Sequence, residues 1–74
     1  MRQYTVLVYE DPEDPGKWLA EFPAVRGAHS WGRSPEEAVE NAKEAFELVL
    51  EVLLEDGKPL PDDVQTMRVE VKAA

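Results

Sequence analysis

The chain has no cysteine, so no disulfide staples it and no thiolate cluster holds a structural zinc. It is poor in cations: eight Lys and Arg against sixteen Asp and Glu leave a net charge of −8. That sign argues against a protein whose main work is to grip phosphate backbones, so we expect no direct DNA binding. Long apolar runs are missing too. The most apolar stretch, Leu48 to Leu54, has Glu51 in its middle and falls far short of the ~20 residues that span a bilayer. The start, Met1-Arg2-Gln3-Tyr4-Thr5, runs directly into a strand-like pattern with no apolar leader. No membrane association and a cytoplasmic location are the expectation, and the lack of cysteine agrees.

What remains is small. Seventy-four residues make one domain, 1–74, that buries only about 60% of the surface its unfolded chain exposes. With no staple available, self-association is the remaining common route to stability. No internal repeat, low-complexity stretch or linker interrupts the unit.

Gln3 to Tyr9 is β-branched, aromatic and apolar on both faces, which suits a strand near the middle of a sheet. The acidic stretch Glu10–Asp14 leads to Pro15-Gly16, which fits the central positions of a type II turn. Lys17 to Phe22 reads as a second strand with Trp18, Ala20 and Phe22 on one face, and Ala28 to Gly32 as a short third. Ser34-Pro35-Glu36-Glu37 carries an N-cap serine, a first-turn proline and a capping-box glutamate. The helix it opens runs to about Glu55, where Asp56-Gly57 stops it. Thr66 to Lys72 alternates again, with Met67, Val69 and Val71 to one side. The expectation is an α+β fold, β-β-β-α-β. It has a four-stranded mixed sheet of order 3-2-1-4, the last strand parallel to the first and the long helix across one face.

At about 100° per residue, Ala38, Ala42, Ala45, Phe46, Val49 and Leu53 share the helix face turned to the sheet. Leu48, Leu50, Val52 and Leu54 widen the apolar surface beyond what one sheet covers, and are assigned to a homo-oligomer interface, the alternative being that the Gly57–Asp63 loop folds back over them. The opposite face is acidic: Glu36, Glu40, Glu44, Glu47, Glu51 and Glu55, with Lys43 the cation among them. Its i,i+4 pairs repel by roughly 0.2–0.5 kcal/mol each in an isolated helix. Such a face either keeps the protein soluble or steers a basic partner onto it.

No catalytic constellation stands out. His29 has no serine, cysteine or carboxylate at a diagnostic spacing, so it reads as structural. Gly27 and Gly32 are too far apart to cradle a phosphate. A magnesium-dependent nuclease would need several fixed carboxylates, and only Glu21 lies inside a predicted strand, with the Glu10–Asp14 acids as its nearest company in sequence. We assign no catalytic, cofactor-binding or metal-binding residue.

The stretch Trp18-Leu19-Ala20-Glu21-Phe22-Pro23-Ala24-Val25-Arg26-Gly27, followed by Gly32-Arg33-Ser34-Pro35-Glu36-Glu37-Ala38, resembles the HicB antitoxin pattern. In that pattern an aromatic-x-Ala-x-Phe-Pro segment and a glycine lead into Gly-x-Ser/Thr-x-x-Glu-Ala. Asn41-Ala42 and Gly57-Lys58-Pro59-Leu60-Pro61 match its helix and its exit. The matched Phe22, Pro23, Gly27, Gly32, Ser34, Glu37 and Ala38 each have a job in the fold, so they mark the family rather than a site.

The resemblance implies a partial ribonuclease-H-like β-β-β-α-β domain that forms dimers or tetramers. It also implies a non-catalytic function: covering a small basic HicA-type toxin that cleaves messenger RNA. On that expectation Glu40, Glu44, Glu47 and Glu51 meet the cationic partner. Many members continue into a separate DNA-binding domain. On this reading we expect no separate DNA-binding domain beside residues 1–74, and operator binding is not carried over. Two alternatives stay open: an orphan oligomeric scaffold or regulatory subunit with another partner, and a residual magnesium-dependent nuclease using Glu21 and the Glu10–Asp14 acids.

Overall fold

The computed structural model describes residues 2–73; Met1 and Ala74, the two ends of the expected domain, lie outside the described residues. The elements are β1 (Leu7–Glu10), β2 (Trp18–Glu21), β3 (His29–Gly32) and α1 (Pro35–Glu55). Pro15-Gly16 makes the expected turn between the first two: Lys17 N–H donates to the Asp14 carbonyl at 3.0 Å and Gly16 has φ 89°, the conformation a type II turn asks of its third residue. Two of the acids before it satisfy the loop. Glu10 accepts from Gly16 N–H at 3.0 Å, and Asp11 from Glu13 N–H at 2.9 Å.

The start of α1 follows from its sequence. Ser34 has extended dihedrals and its hydroxyl accepts from Glu37 N–H at 3.1 Å, with Pro35 opening the helix. Glu37 reaches one residue further back than a capping box requires and accepts from Arg33 N–H at 3.1 Å. At the other end Gly57 adopts φ 67°. Gly57 N–H donates to Leu54 and Lys58 N–H to Leu53, the paired bonds of a Schellman stop.

The three strands form one antiparallel sheet of order β1-β2-β3. On one face Ala20, Phe22 and Ala28 meet Ala38, Ala42 and Phe46 of α1, and these six residues are the buried core. Small residues on both sides bring the helix close. A Cβ on Gly32 would sit 2.6 Å from the Ala38 backbone nitrogen, so this glycine serves close approach; the positive φ that turns the loop before β3 belongs to Gly27, at 91°. Asn41 ties helix to sheet through a 2.9 Å bond from its amide to the Trp31 carbonyl. Tyr4 meets Phe46 edge-on and Phe22 meets it tilted, at 4.7 and 4.6 Å between ring centroids.

The expected four-stranded sheet is not formed. Thr66 to Lys72 pairs with no strand, and without it the mixed order 3-2-1-4, the parallel crossover and the ribonuclease-H-like description all fall. Alternation makes a segment suited to a sheet but does not supply the edge it pairs with. β1 is consequently an edge strand and not a central one, with Leu7 and Tyr9 about half exposed at 43% and 46%.

β1 also begins at Leu7 where Gln3 was expected. Continuing the β1–β2 register past Leu7↔Glu21 would put Thr5 opposite Pro23, which has no N–H to give. Phe22 N–H has by then turned to the Ala28 carbonyl. Thr5 finds another partner: its N–H donates to both Asp63 carboxylate oxygens at 3.0 Å and its hydroxyl to one of them at 2.8 Å. Beside it the Tyr4 hydroxyl donates to the Pro61 carbonyl at 2.6 Å.

Candidate partner-binding surfaces

Two surfaces of this fold are available to a partner. The first is the outer side of α1. Ser34 and Pro35 set the helix phase so that Ala38, Ala42 and Phe46 point inward. The same 3.6-residue period turns Glu36, Glu40, Glu44, Glu47, Glu51 and Glu55 outward, and all six are exposed. Glu40, Glu44, Glu47 and Glu51, the predicted contact residues, therefore form one stripe. Leu48, 63% exposed, lies among Glu44, Glu47 and Glu51, and Val52 continues the apolar border one turn later. A border of this kind beside like charges is chemically suited to a partner with basic side chains around an apolar centre.

The predicted interface residues are divided by the fold. Leu48, Val52 and Leu54 are exposed at 63%, 54% and 63%. Leu50 is half-buried and packs on the core, lining a groove of about 380 Å³ with Tyr4, Phe22, Phe46 and Leu60. Leu50 is thus continuous with the core and not with the outer apolar border.

The second surface is the sheet face turned away from α1, and sequence reasoning passed over it. The register brings Tyr9, Leu19 and Trp31 into one row across the three strands, with Leu7, Glu21 and His29 in another. Trp31 is 46% exposed. Lys17 places its ammonium 5.1 Å, and Arg33 its guanidinium carbon 5.4 Å, from the centre of that ring, within cation–π range. The available signal was the odd-numbered set of the first strand, Leu7 and Tyr9, apolar on the face opposite Val6 and Val8.

The acids of the nuclease alternative are not brought together. Glu21 pairs with Leu7 at one end of β1, whereas Glu10 pairs with Trp18 at the other, about 10 Å along the strand. Among the described residues no cluster of three or more His, Cys, Asp or Glu could hold a metal ion. His29 is exposed and shares its row with Glu21, with no nucleophile between them. No described helix is long and apolar enough to cross a membrane.

The chain is similar to several known proteins. A UPF0150 protein of Synechocystis is 40% identical over 60 residues, covering 81% of this chain and 73% of its own. A UPF0150 protein of Archaeoglobus fulgidus is 41% identical over 54 residues, 70% of this chain and 77% of that one. One from Thermoplasma acidophilum is 31% identical over 61 residues, 82% and 86% of the two chains. No solved structure gives a significant match. The family described as HicB-like antitoxin of bacterial toxin–antitoxin system matches residues 4–73, and with that span and these relatives the chain belongs to the HicB-like antitoxin family.

Proposed function

We propose that this protein is a non-catalytic antitoxin that binds a small basic HicA-type toxin, an mRNA-cleaving protein, and neutralises it by covering its working surface. The observation that carries the reading is the exposed stripe Glu40, Glu44, Glu47 and Glu51 with Leu48 set among the last three. Four like charges along one helix face raise the rate of encounter with a cationic surface, and the apolar border gives the contact a desolvated centre. The protein works in the cytoplasm as one domain, binds no DNA through this domain, and needs no cofactor. It acts as a homo-oligomer, dimer or tetramer, with Val52 and Leu54 available to bury between copies.

The test is titration of a small basic HicA-type toxin with the wild-type protein and with an E44K/E47K double variant, at low and high salt. Wild type should bind, more weakly as salt rises, and suppress RNA cleavage. The double variant should lose about tenfold or more in affinity and most of the salt dependence. Equal binding by both proteins would remove the stripe from the contact. No binding by wild type, together with recovery of only its own oligomer, would favour the scaffold reading, which the exposed Leu48, Val52 and Leu54 also suit.

A further inference from the structure

Beyond Asp63 the chain leaves the body. Every residue from 62 to 73 is exposed, and Met67, Val69 and Val71 stand 82%, 74% and 80% open to solvent. The radius of gyration is 14.5 Å where a compact chain of this length gives about 11 Å. A segment with three apolar side chains at alternate positions, all open to water, has no reason to remain so. It also lies within the family match, which runs through residue 73.

The order of residues in this segment says what covers it. Around Val69 the sequence Thr66-Met67-Arg68-Val69-Glu70-Val71-Lys72 is self-complementary. Apolar side chains stand two positions away on both sides, and opposite charges stand one position away.

We propose that residues 66–72 pair antiparallel with the same residues of a second copy, about a two-fold axis through Val69. Arg68 then lies opposite Glu70 of the other copy, and Glu70 opposite its Arg68. Met67 meets Val71, Val69 meets itself, and Thr66 meets Lys72. Directly opposed side chains of this kind are the stabilising unit of a β-ladder, and a contact between identical patches closes as a two-fold dimer.

The neighbouring registers fail on charge, and one centred on Val71, which sets Glu70 opposite Lys72, puts Val69 against Ala73 and loses the apolar match. Parallel pairing sets Arg68 against Arg68 and Glu70 against Glu70. An antiparallel slip of two residues puts either two glutamates or two arginines on the axis, and a slip of one turns the apolar face over. The open edge of β1 offers Glu10 as its sole charge, which leaves Glu70 with no opposite. A two-stranded ribbon is marginal alone; the exposed end of α1, with Leu48, Val52 and Leu54, is the apolar surface available to back it. The inference names a contact for the homo-oligomer proposed above, through a segment other than the helix.

Two experiments test it on the full chain. Because there is no native cysteine, single cysteines report register cleanly. Val69→Cys should give a disulfide-linked dimer rapidly under mild oxidation. Met67→Cys and Val71→Cys should each give little alone and cross-link readily when mixed, since cysteines must approach to within about 7 Å between Cα atoms. In sedimentation, E70R should weaken the dimer by about tenfold, and R68E/E70R, which restores the net charge, should recover it.

If Val69→Cys cross-links no faster than Met67→Cys, or pairs instead with Val8→Cys on the β1 edge, the register is wrong. A dimer that survives E70R but dissolves with L48S/V52S would overturn the tail contact and leave the homo-oligomer standing. A wild-type monomer at all concentrations would overturn both.

Discussion

The two halves of α1 draw on the same residues, alanine and leucine-type apolars alternating with glutamate, yet they have opposite fates. In the first half Ala38, Ala42 and Phe46 are sealed against the sheet. In the second Val49 and Leu53, on the same face, are only half-buried, and Leu48, Val52 and Leu54, off that face, lie open. The difference is one of face for the last three and of length for Val49 and Leu53. Each strand has four residues, about 13 Å, while the helix has 21, about 31 Å. A sheet that short cannot cover the helix whatever direction it takes across it. Amphipathic pattern therefore decides which face of a helix is apolar, and the opposing layer decides how much of that face is used.

The contrast is most sharply tested at Phe46 and Val52. Phe46 is 3% exposed and joins Tyr4 to Phe22, so Phe46→Ala should cost about 3–5 kcal/mol in urea denaturation. Val52→Ala, in the overhang, should cost under about 1 kcal/mol measured below the concentration of self-association. Similar losses at both positions would mean the overhang is packed after all.

A smaller effect is expected at the contact that holds the sealed half down. Gly32→Ala drives a methyl group into the Ala38 backbone, and should destabilise by about 1–3 kcal/mol as overpacking does. Chemical shifts should move at the start of α1 and stay put beyond Leu48. If they move at both ends alike, the helix behaves as one rigid bar and the two halves are not independent.

The smallest effect lies where the chain returns from the overhang. The Thr5 N–H, then its hydroxyl and the Val64 N–H, hold the Asp63 carboxyl below its ordinary value of 3.8 against a weaker opposing effect of desolvation. A group whose pKa is lowered by folding contributes stability above its unfolded value, and that contribution fades as the pH falls through the lower folded one. The Thr5 amide resonance should accordingly shift as the pH drops below 3.8, and Asp63→Asn should abolish that titration. An unchanged profile in the variant would assign the shift to another group.

Much of this architecture is legible in the chain because it is local. Ser34-Pro35 and Asp56-Gly57 bracket the helix they predict, and Pro15-Gly16 makes the turn its chemistry dictates. Illegible features depend on what meets what. Thr66–Lys72 carries a strand's alternation, but the partner of a strand is not written in it. Leu50 and Leu48 are both leucines on one helix, and the position of Tyr4 and Leu60 is what lets the first pack against the core. Gly32 looks like a turn residue until Ala38 is seen above it. The acidic stripe was readable from spacing alone; the Tyr9-Leu19-Trp31 row needed the register of three strands.

The bonds from Thr5 to Asp63 and from Tyr4 to Pro61 have a topological consequence. They bring together positions 58 and 57 apart in sequence, so the body is a ring in outline, closed where the chain enters and leaves it. Residues 64 to 73 hang from that ring as a pendant. Such a layout permits rewiring: a short linker from Asp63 to Gln3, which keeps Tyr4 on Phe46, with new ends in the Glu10–Gly16 loop should preserve the body. In the native chain it lets the pendant change neighbours without the ring having to open.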